Sequence, residues 1–455
     1  MPQAPTLTTP ALTILIFYSV SGGPFGSEAA VKYAGPLYSL LGFALFPIFW
    51  SLPEALIVAE LSTSFPENAG YVAWVKEAFG SRAALIEGFL SYLSSVTDQS
   101  LYPILFLKYL FNSTSFYGDF TSPLHRFLLL TIIIVILGFV NYRGTKFVTS
   151  TTTIILVLSL SPFLLLAILS LPKFTPTNLL VTAPPSYPIN YSAFFNLLFW
   201  NLNYWDSIST LSGEVINPST TIPRSLVFAL LLVTLGYLLP LVTTLGASTA
   251  PFSDWDDGFY ATYANEYGRW LSIWIVFAAG VSNIGLYATE LTESANTLLG
   301  MAERGLLPDF FSRRSPYSTP TAGIITSSLF TVFFSVFDFS ALIEMVNFLY
   351  IFAQLLEFAA FISLRINQPS LTRPFKIPLS TPLLIIMLTP PTLFMLWMLY
   401  MATALTWFLM GGMCSLGAIL FVALDAARKR GWVKYSALLP LQTDDSEDDP
   451  LIEAT

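Results

Sequence analysis

Ten acidic residues stand inside otherwise apolar stretches of this chain: Glu28, Glu54, Glu60, Asp98, Asp206, Glu214, Glu290, Glu293, Glu344 and Glu357. Ionisable side chains are costly in such surroundings and are usually kept for a task. No lysine or arginine is expected in the interiors of the same stretches. The acids must therefore either hold protons or meet a cation that the protein does not supply. A cationic substrate, a proton relay, or both, is the chemistry this pattern offers. Glu214, Glu293 and Glu357 fall near expected helix ends, where water is the ordinary neighbour of an acid. Asp98, Asp206 and Glu290 fall deeper, and with Glu54 they are the candidates for proton coupling or for pairing with a cation. Aromatic residues accompany them: Trp200, Tyr204 and Trp205 beside Asp206, and Phe348 and Tyr350 on a later segment. A ring face attracts an ammonium by on the order of 1 kcal/mol, and more when dry.

Other chemistries lack their residues. One cysteine, Cys414, and one histidine, His125, leave no disulfide framework, structural zinc or Cys-His catalysis. No Gly-x-x-x-x-Gly-Lys-Ser/Thr stretch is present to cradle a nucleotide phosphate. No catalytic residue, metal, cofactor or nucleic-acid partner is expected, and transport driven by a gradient is.

The elements that must position these acids are membrane helices. With 54% hydrophobic and 11% charged residues the chain is too apolar for an ordinary solvated domain. A helix crosses about 30 Å of hydrocarbon with roughly 20 apolar residues, and the apolar stretches divide into about twelve such spans. They lie near 11-34, 38-63, 81-110, 124-141, 147-171, 190-216, 224-249, 269-301, 319-338, 341-365, 380-402 and 404-427. Residues 1-10 carry no basic side chain and run into the first span, which is expected to act as its own insertion signal. Basic residues favour the cytoplasmic side, and their distribution predicts both termini there. A plasma membrane is the expected location. Residues 428-455 form an acidic tail in which Glu447 to Ile452 fits a dileucine-type signal for a sorting adaptor. Asn112-Ser113-Thr114 and Asn190-Tyr191-Ser192 are glycosylation sequons on the predicted outer side. The loop before the eighth span sets Asp254, Asp256, Asp257 and Glu266 against Arg269 and could concentrate polycations.

Two spans are interrupted alike. The first contains Ser21-Gly22-Gly23-Pro24-Phe25-Gly26, which cannot continue a helix comfortably. The sixth contains Asn201-Leu202-Asn203-Tyr204-Trp205-Asp206 inside an apolar segment. Five spans separate the breaks, so the two helices cross in opposite directions, as in an inverted-topology repeat. Residues 11-171 and 190-365 are then the repeats, with 380-427 appended. Free backbone groups at mid-membrane are tolerated where they line a cavity, which makes Gly22, Gly23, Trp200, Tyr204, Trp205 and Asp206 the candidate substrate-binding residues.

Several motifs carry a resemblance: Val20 to Gly26, Pro53-Glu54-Ala55-Leu56-Ile57, Phe65-Pro66-Glu67-Asn68, Asn141-Tyr142-Arg143-Gly144, Leu198 to Leu211, Leu299 to Gly305, Asn347 to Tyr350 and Arg373 to Pro378. With them the chain resembles the plant polyamine uptake transporters, in the L-type and polyamine branch of the amino acid-polyamine-organocation superfamily. The resemblance implies an all-α fold of twelve helices with five-helix inverted repeats, and proton-coupled symport of putrescine, spermidine and related cations. It implies an aromatic gate at Trp200 and an acid at Asp206 that meets a substrate amine. The chain departs from the pattern in Gln99-Ser100 after Asp98 and in Val346 before Asn347. Glu344 lies two residues before Val346, turned by roughly 200° on a helix, and inherits no substrate role. An amino acid permease of the same superfamily, or a non-transporting nutrient sensor, are the alternatives.

Overall fold

The computed structural model describes residues 5–112, 123–184, 187–337 and 339–435. Both Asn112-Ser113-Thr114 beyond its first residue and the tail with Glu447 to Ile452 lie outside the described residues.

The described residues are helical throughout, without a β-strand. Span 1 is α1 (Thr9–Val20) and, past a break, α2 (Ala29–Ala34). Span 2 is α3 (Pro36–Phe46) and α4 (Leu52–Ser64), joined by a π-helical turn at Pro47–Ser51. A short helix α5 (Tyr71–Phe79) precedes α6 (Ser81–Asn112), α7 (Pro123–Tyr142) and α8 (Thr145–Ser170), which are spans 3 to 5. The sixth span is α9 (Tyr191–Leu202), a break, and a 3₁₀ helix over Ser207–Glu214. Then follow α10 (Pro218–Ala247), a loop helix α11 (Phe259–Ala264), α12 (Arg269–Glu303), α13 (Thr321–Phe334) and α14 (Phe339–Asn367). Last come α15 (Thr381–Met401) and α16 (Ala404–Lys429).

Among the described residues eight helical stretches are long and apolar enough to cross a bilayer. The broken spans 1 and 6, the polar-striped α6 and the shorter α13 complete the twelve segments. An even number of crossings leaves both termini at one end of the bundle, called the terminal end below.

The packing follows the repeat. At the centre α6 lies along α12, span 3 on span 8, a pairing that exchange of the two halves maps onto itself. Next, α12 packs along α8 while α6 packs along α14, so that 8 on 5 becomes 3 on 10 under the same exchange. The breaks also correspond, each after a twelve-residue helix. In the first, Gly22, Gly23 and Gly26 take φ of 64°, 122° and 85°, which glycine adopts freely. In the second the left-handed residue is Tyr204, at φ 67°, an uncommon conformation for a side chain of its bulk.

Four expectations are corrected by the fold. Glu60 does not lack basic partners: Arg365 Nη2 pairs with it closely, and Arg373 Nε stands 3.1 Å away. The loop after α14 folds back and brings Arg373 with it, a long-range contact that sequence order conceals. Ile377 N donates to the same carboxylate at 2.8 Å. Glu293 and Glu357 are not at watery helix ends but buried, 2% and 0% exposed. The outer acids are not opposed by Arg269 alone, because Lys32 reaches Asp256 at 2.7 Å and Lys173 reaches Glu266 at 2.9 Å. Asn190 caps α9, its side chain accepting from Ala193 N. Glu344, which inherited no substrate role, accepts from Thr403 N at 2.6 Å, just ahead of α16.

Glu60→Ala is expected to destabilise the protein by about 3–5 kcal/mol, since it strands two buried guanidinium groups. A large fall in the melting temperature of the detergent-solubilised protein is the expected result. An unchanged melting curve would show that the loop does not need its anchor.

Candidate functional site

The two breaks face each other across a narrow cavity. Ser21, Gly22, Phe25 and Gly26 line it from span 1, and Leu197, Trp200, Asn201 and Tyr204 from span 6. Asp98, Tyr102, Leu105 and Tyr109 come from α6, Ser282, Asn283 and Leu286 from α12, and Tyr237 from α10. Asp257, in the loop before α11, also lines the cavity, and no lysine or arginine does.

Local structure explains why these side chains point there. Glu28 Oε1 accepts from Gly258 N at 2.9 Å, and Ser27 Oγ meets Tyr260 Oη at 2.9 Å. These contacts hold the α11 loop, and Asp257 with it, against the first break. Ser282 Oγ donates to the carbonyl of Gly22, which the break has left without a helical partner. Gly26 is needed for its backbone angle, φ 85°, rather than for space. A Cβ on it would make only ordinary contact, with the Trp200 ring at 3.6 Å and Asn201 Oδ1 at 3.8 Å. On the other side, Ser51 Oγ and Trp205 Nε1 donate to Leu202 O at 3.1 and 2.9 Å, closing the end of α9.

Asp98 is one of the two acids that line the cavity. Trp200 Nε1 donates to its Oδ1 at 2.8 Å, and Tyr102 Oη stands 2.5 Å from its Oδ2 and 2.8 Å from Glu290 Oε1. A phenol carries one hydrogen and can donate to only one of these carboxyls. The other contact is a hydrogen bond only when that carboxyl is protonated and donates back. The Asp98–Tyr102–Glu290 group therefore fits one proton and one negative charge.

Below it the same arrangement recurs. Tyr350 Oη stands 2.5 Å from Glu54 Oε1 and 2.8 Å from Asp206 Oδ1, and accepts from Tyr204 N at 3.0 Å. Trp205 N donates to Glu54 Oε1 at 3.0 Å. Again one hydrogen serves two carboxyls, and again one of them must hold a proton for every contact to be bonded.

Of the residues singled out from sequence, Gly22, Asp98, Trp200 and Tyr204 line the cavity together. Gly23, Glu54, Trp205, Asp206 and Glu290 do not line it. Glu54 and Asp206 join through Tyr350, Glu290 joins Asp98 through Tyr102, and the Trp205 indole is spent on Leu202. Sequence reasoning missed Tyr102, the bridging role of Tyr350, and Glu87. That glutamate is fully buried on α6 with Ser91 Oγ at 2.7 Å. Spacing held a signal for it: Glu87, Ser91, Ser94, Asp98 and Tyr102 recur at helical intervals and form one polar stripe.

At the terminal end several contacts cross-link the bundle. Arg304 pairs with Glu67 and, at 2.8 Å, with Glu77. Asn68 Oδ1 accepts from Gly213 N at 3.1 Å, and Tyr71 Oη meets Thr297 Oγ1 at 2.9 Å. The turn into α5 thereby ties the second half of span 6 to α12.

A family model of amino acid permeases matches residues 7–424, nearly all of the helical bundle. The chain belongs to the amino acid permease family. This permease is 43% identical over 95% of its length to a probable polyamine transporter of Arabidopsis thaliana, covering 90% of that protein. It is 42% identical to a second Arabidopsis polyamine transporter, covering 95% of this chain and 88% of that one. With a polyamine transporter of Oryza sativa subsp. japonica the identity is 41%, over 95% and 81% of the two chains. The permease is a membrane transporter of the same plant-type group that its motifs resemble.

Proposed function

We propose that this permease is a proton-coupled importer of polyamines such as putrescine and spermidine, placed in the plasma membrane with both termini cytoplasmic. The observation that carries the reading is the cavity itself: acids at two places in its lining, aromatic rings along its wall, and no basic side chain. A linear polyamine presents ammonium groups joined by methylenes. Asp98 and Asp257 offer partners for the charges, and Phe25, Tyr109 and Trp200 offer ring faces to the alkyl chain. The names of the relatives support the same substrate class. An amino acid substrate would bring a carboxylate to a wall that has acids but no cation, which costs affinity through like-charge contact.

Protons enter through the two tyrosine-bridged acid pairs. When an ammonium arrives at Asp98, the negative form of the pair is favoured, and the shared proton is released from the substrate site.

The test is uptake of labelled spermidine by purified protein in liposomes, with and without an inward proton gradient. Uptake should rise with the gradient, and unlabelled putrescine should compete while leucine and arginine should not. Competition by leucine or arginine at equal concentration would make the protein an amino acid carrier. Absence of any uptake, with spermidine still bound, would make it a sensor.

A further inference from the structure

Two buried glutamates remain without a role in substrate binding, and their placement continues the lower acid pair toward the terminal end. Glu357 on α14 and Glu87 on α6 are both fully buried, and Asp206 and Glu87 are among the acids that act on Glu357. No N–H or O–H group of another residue reaches either oxygen of Glu357 among the described residues. Between Glu357 and a neighbouring acid a hydrogen bond can form only when a proton lies between the two carboxyls.

Helix geometry orders the acids along the membrane normal. Glu357 lies seven residues past Tyr350 on α14, about 10 Å nearer the terminal end. Glu87 lies eleven residues before Asp98 on α6, about 16 Å nearer the same end. The series Glu54, Tyr350, Asp206, Glu357, Glu87 therefore descends from the level of the break in span 6 toward the terminal end. Each helix element packed around it contributes titratable groups: Glu54 from α4, Tyr71 from α5, Glu293 from α12, Tyr350 from α14 and Tyr204 from the break. None of the ion pairs among the described residues involves Glu54, Asp206, Glu357 or Glu87.

A second, independent feature lies on the same stripe. Gln354, one turn from Tyr350 and one from Glu357, is 1% exposed, and neither its Oε1 nor its Nε2 has a hydrogen-bond partner. Asn203, three residues before Asp206, is also fully buried with both amide atoms unpaired. A buried unpaired polar group costs about 1–3 kcal/mol, which a passing hydrated proton would offset. Such amides beside a descending series of carboxyls suit conduction more than packing.

We propose that Glu357 and Glu87 are the exit path of the coupled proton, carrying it from Asp206 to the terminal end of the bundle. The inference rests on the proton-coupled reading above. In each step a protonated carboxyl gives its hydrogen to the neighbouring carboxylate and is refilled from behind, so one proton moves and nothing is oxidised or reduced.

Liposomes holding purified protein and a trapped pH dye test this with spermidine added outside. Wild-type protein should acidify the lumen. Glu357→Gln and Glu87→Gln should each lose the acidification and the gradient-driven accumulation, yet still exchange labelled for unlabelled spermidine at equal pH. Glu357→Asp and Glu87→Asp, which keep a titratable carboxyl, should acidify. Full acidification by either glutamine variant overturns the path. Loss of exchange together with coupling, in protein that still melts like wild type, would make these residues amine ligands instead. A wild-type protein that never acidifies the lumen would refute proton coupling itself, a separate outcome from failure of the variants alone.

Discussion

Asp98→Asn is expected to reduce spermidine uptake by about one to two orders of magnitude, since losing a buried charge partner costs a few kcal/mol and 1.4 kcal/mol is tenfold. Asp98 has a face on the cavity, and Trp200 Nε1 and Tyr102 Oη hold it from two sides. Asparagine keeps an oxygen for the Trp200 contact, so the wall should stay in place and the protein should reach the membrane. What it removes is the charge that receives an ammonium. The measurement is initial uptake normalised to surface protein, paired with spermidine binding to the purified variant. A loss in both places Asp98 on the substrate. Wild-type binding with lost uptake would restrict it to the proton, and wild-type uptake would remove it from the site.

The second large effect is expected at Asp206. Its side chain lies off the cavity but shares Tyr350 with Glu54 at the bottom of the break in span 6. An alternative account makes Asp206 a helix cap, for which asparagine substitutes well. Asp206 does precede the 3₁₀ helix Ser207–Glu214, yet its side chain makes no capping hydrogen bond. Asp206→Asn should therefore weaken spermidine uptake by about one to two orders of magnitude while the protein folds, because the lost feature is a charge and a titratable proton rather than a cap. Near wild-type uptake per surface molecule would return Asp206 to a structural role. Acid stimulation separates the two acids further: it should vanish in Asp206→Asn even where residual uptake remains.

The family motifs acquire distinct physical duties. Glu67 and Asn68 make cross-links at the terminal end, Arg373 and Ile377 fasten a loop to Glu60, and the stretch from Leu198 to Leu211 supplies both a cavity wall and the buried acid Asp206. The terminal-end contacts and the lower acids share neighbours. Tyr71 shows this link, bonded to Thr297 on α12 while sharing its surroundings with Asp206, Glu87 and Glu357.

The twelve segments, the two breaks and their opposite directions were legible in the sequence because each is a local property: hydropathy over a helix length, glycine and proline in a row, and parity of crossings. That Asp98, Asp206 and Glu290 would be buried away from basic side chains was legible too, since each lies far from any lysine or arginine along its own helix. Partnership was not. Glu60 meets arginines 305 and 313 positions away, the first on the last turn of α14 and the second on the loop that folds back after it. Nor could spacing say which acid reaches the cavity, because the left-handed turn at Tyr204 sends Asp206 down toward Tyr350 while Trp200 stays up beside Asp98. Glu357 read as interfacial from its distance to the helix end, and Glu87 was passed over. They are buried because α5, α6 and α14 pack over them, a fact of tertiary contact rather than of sequence.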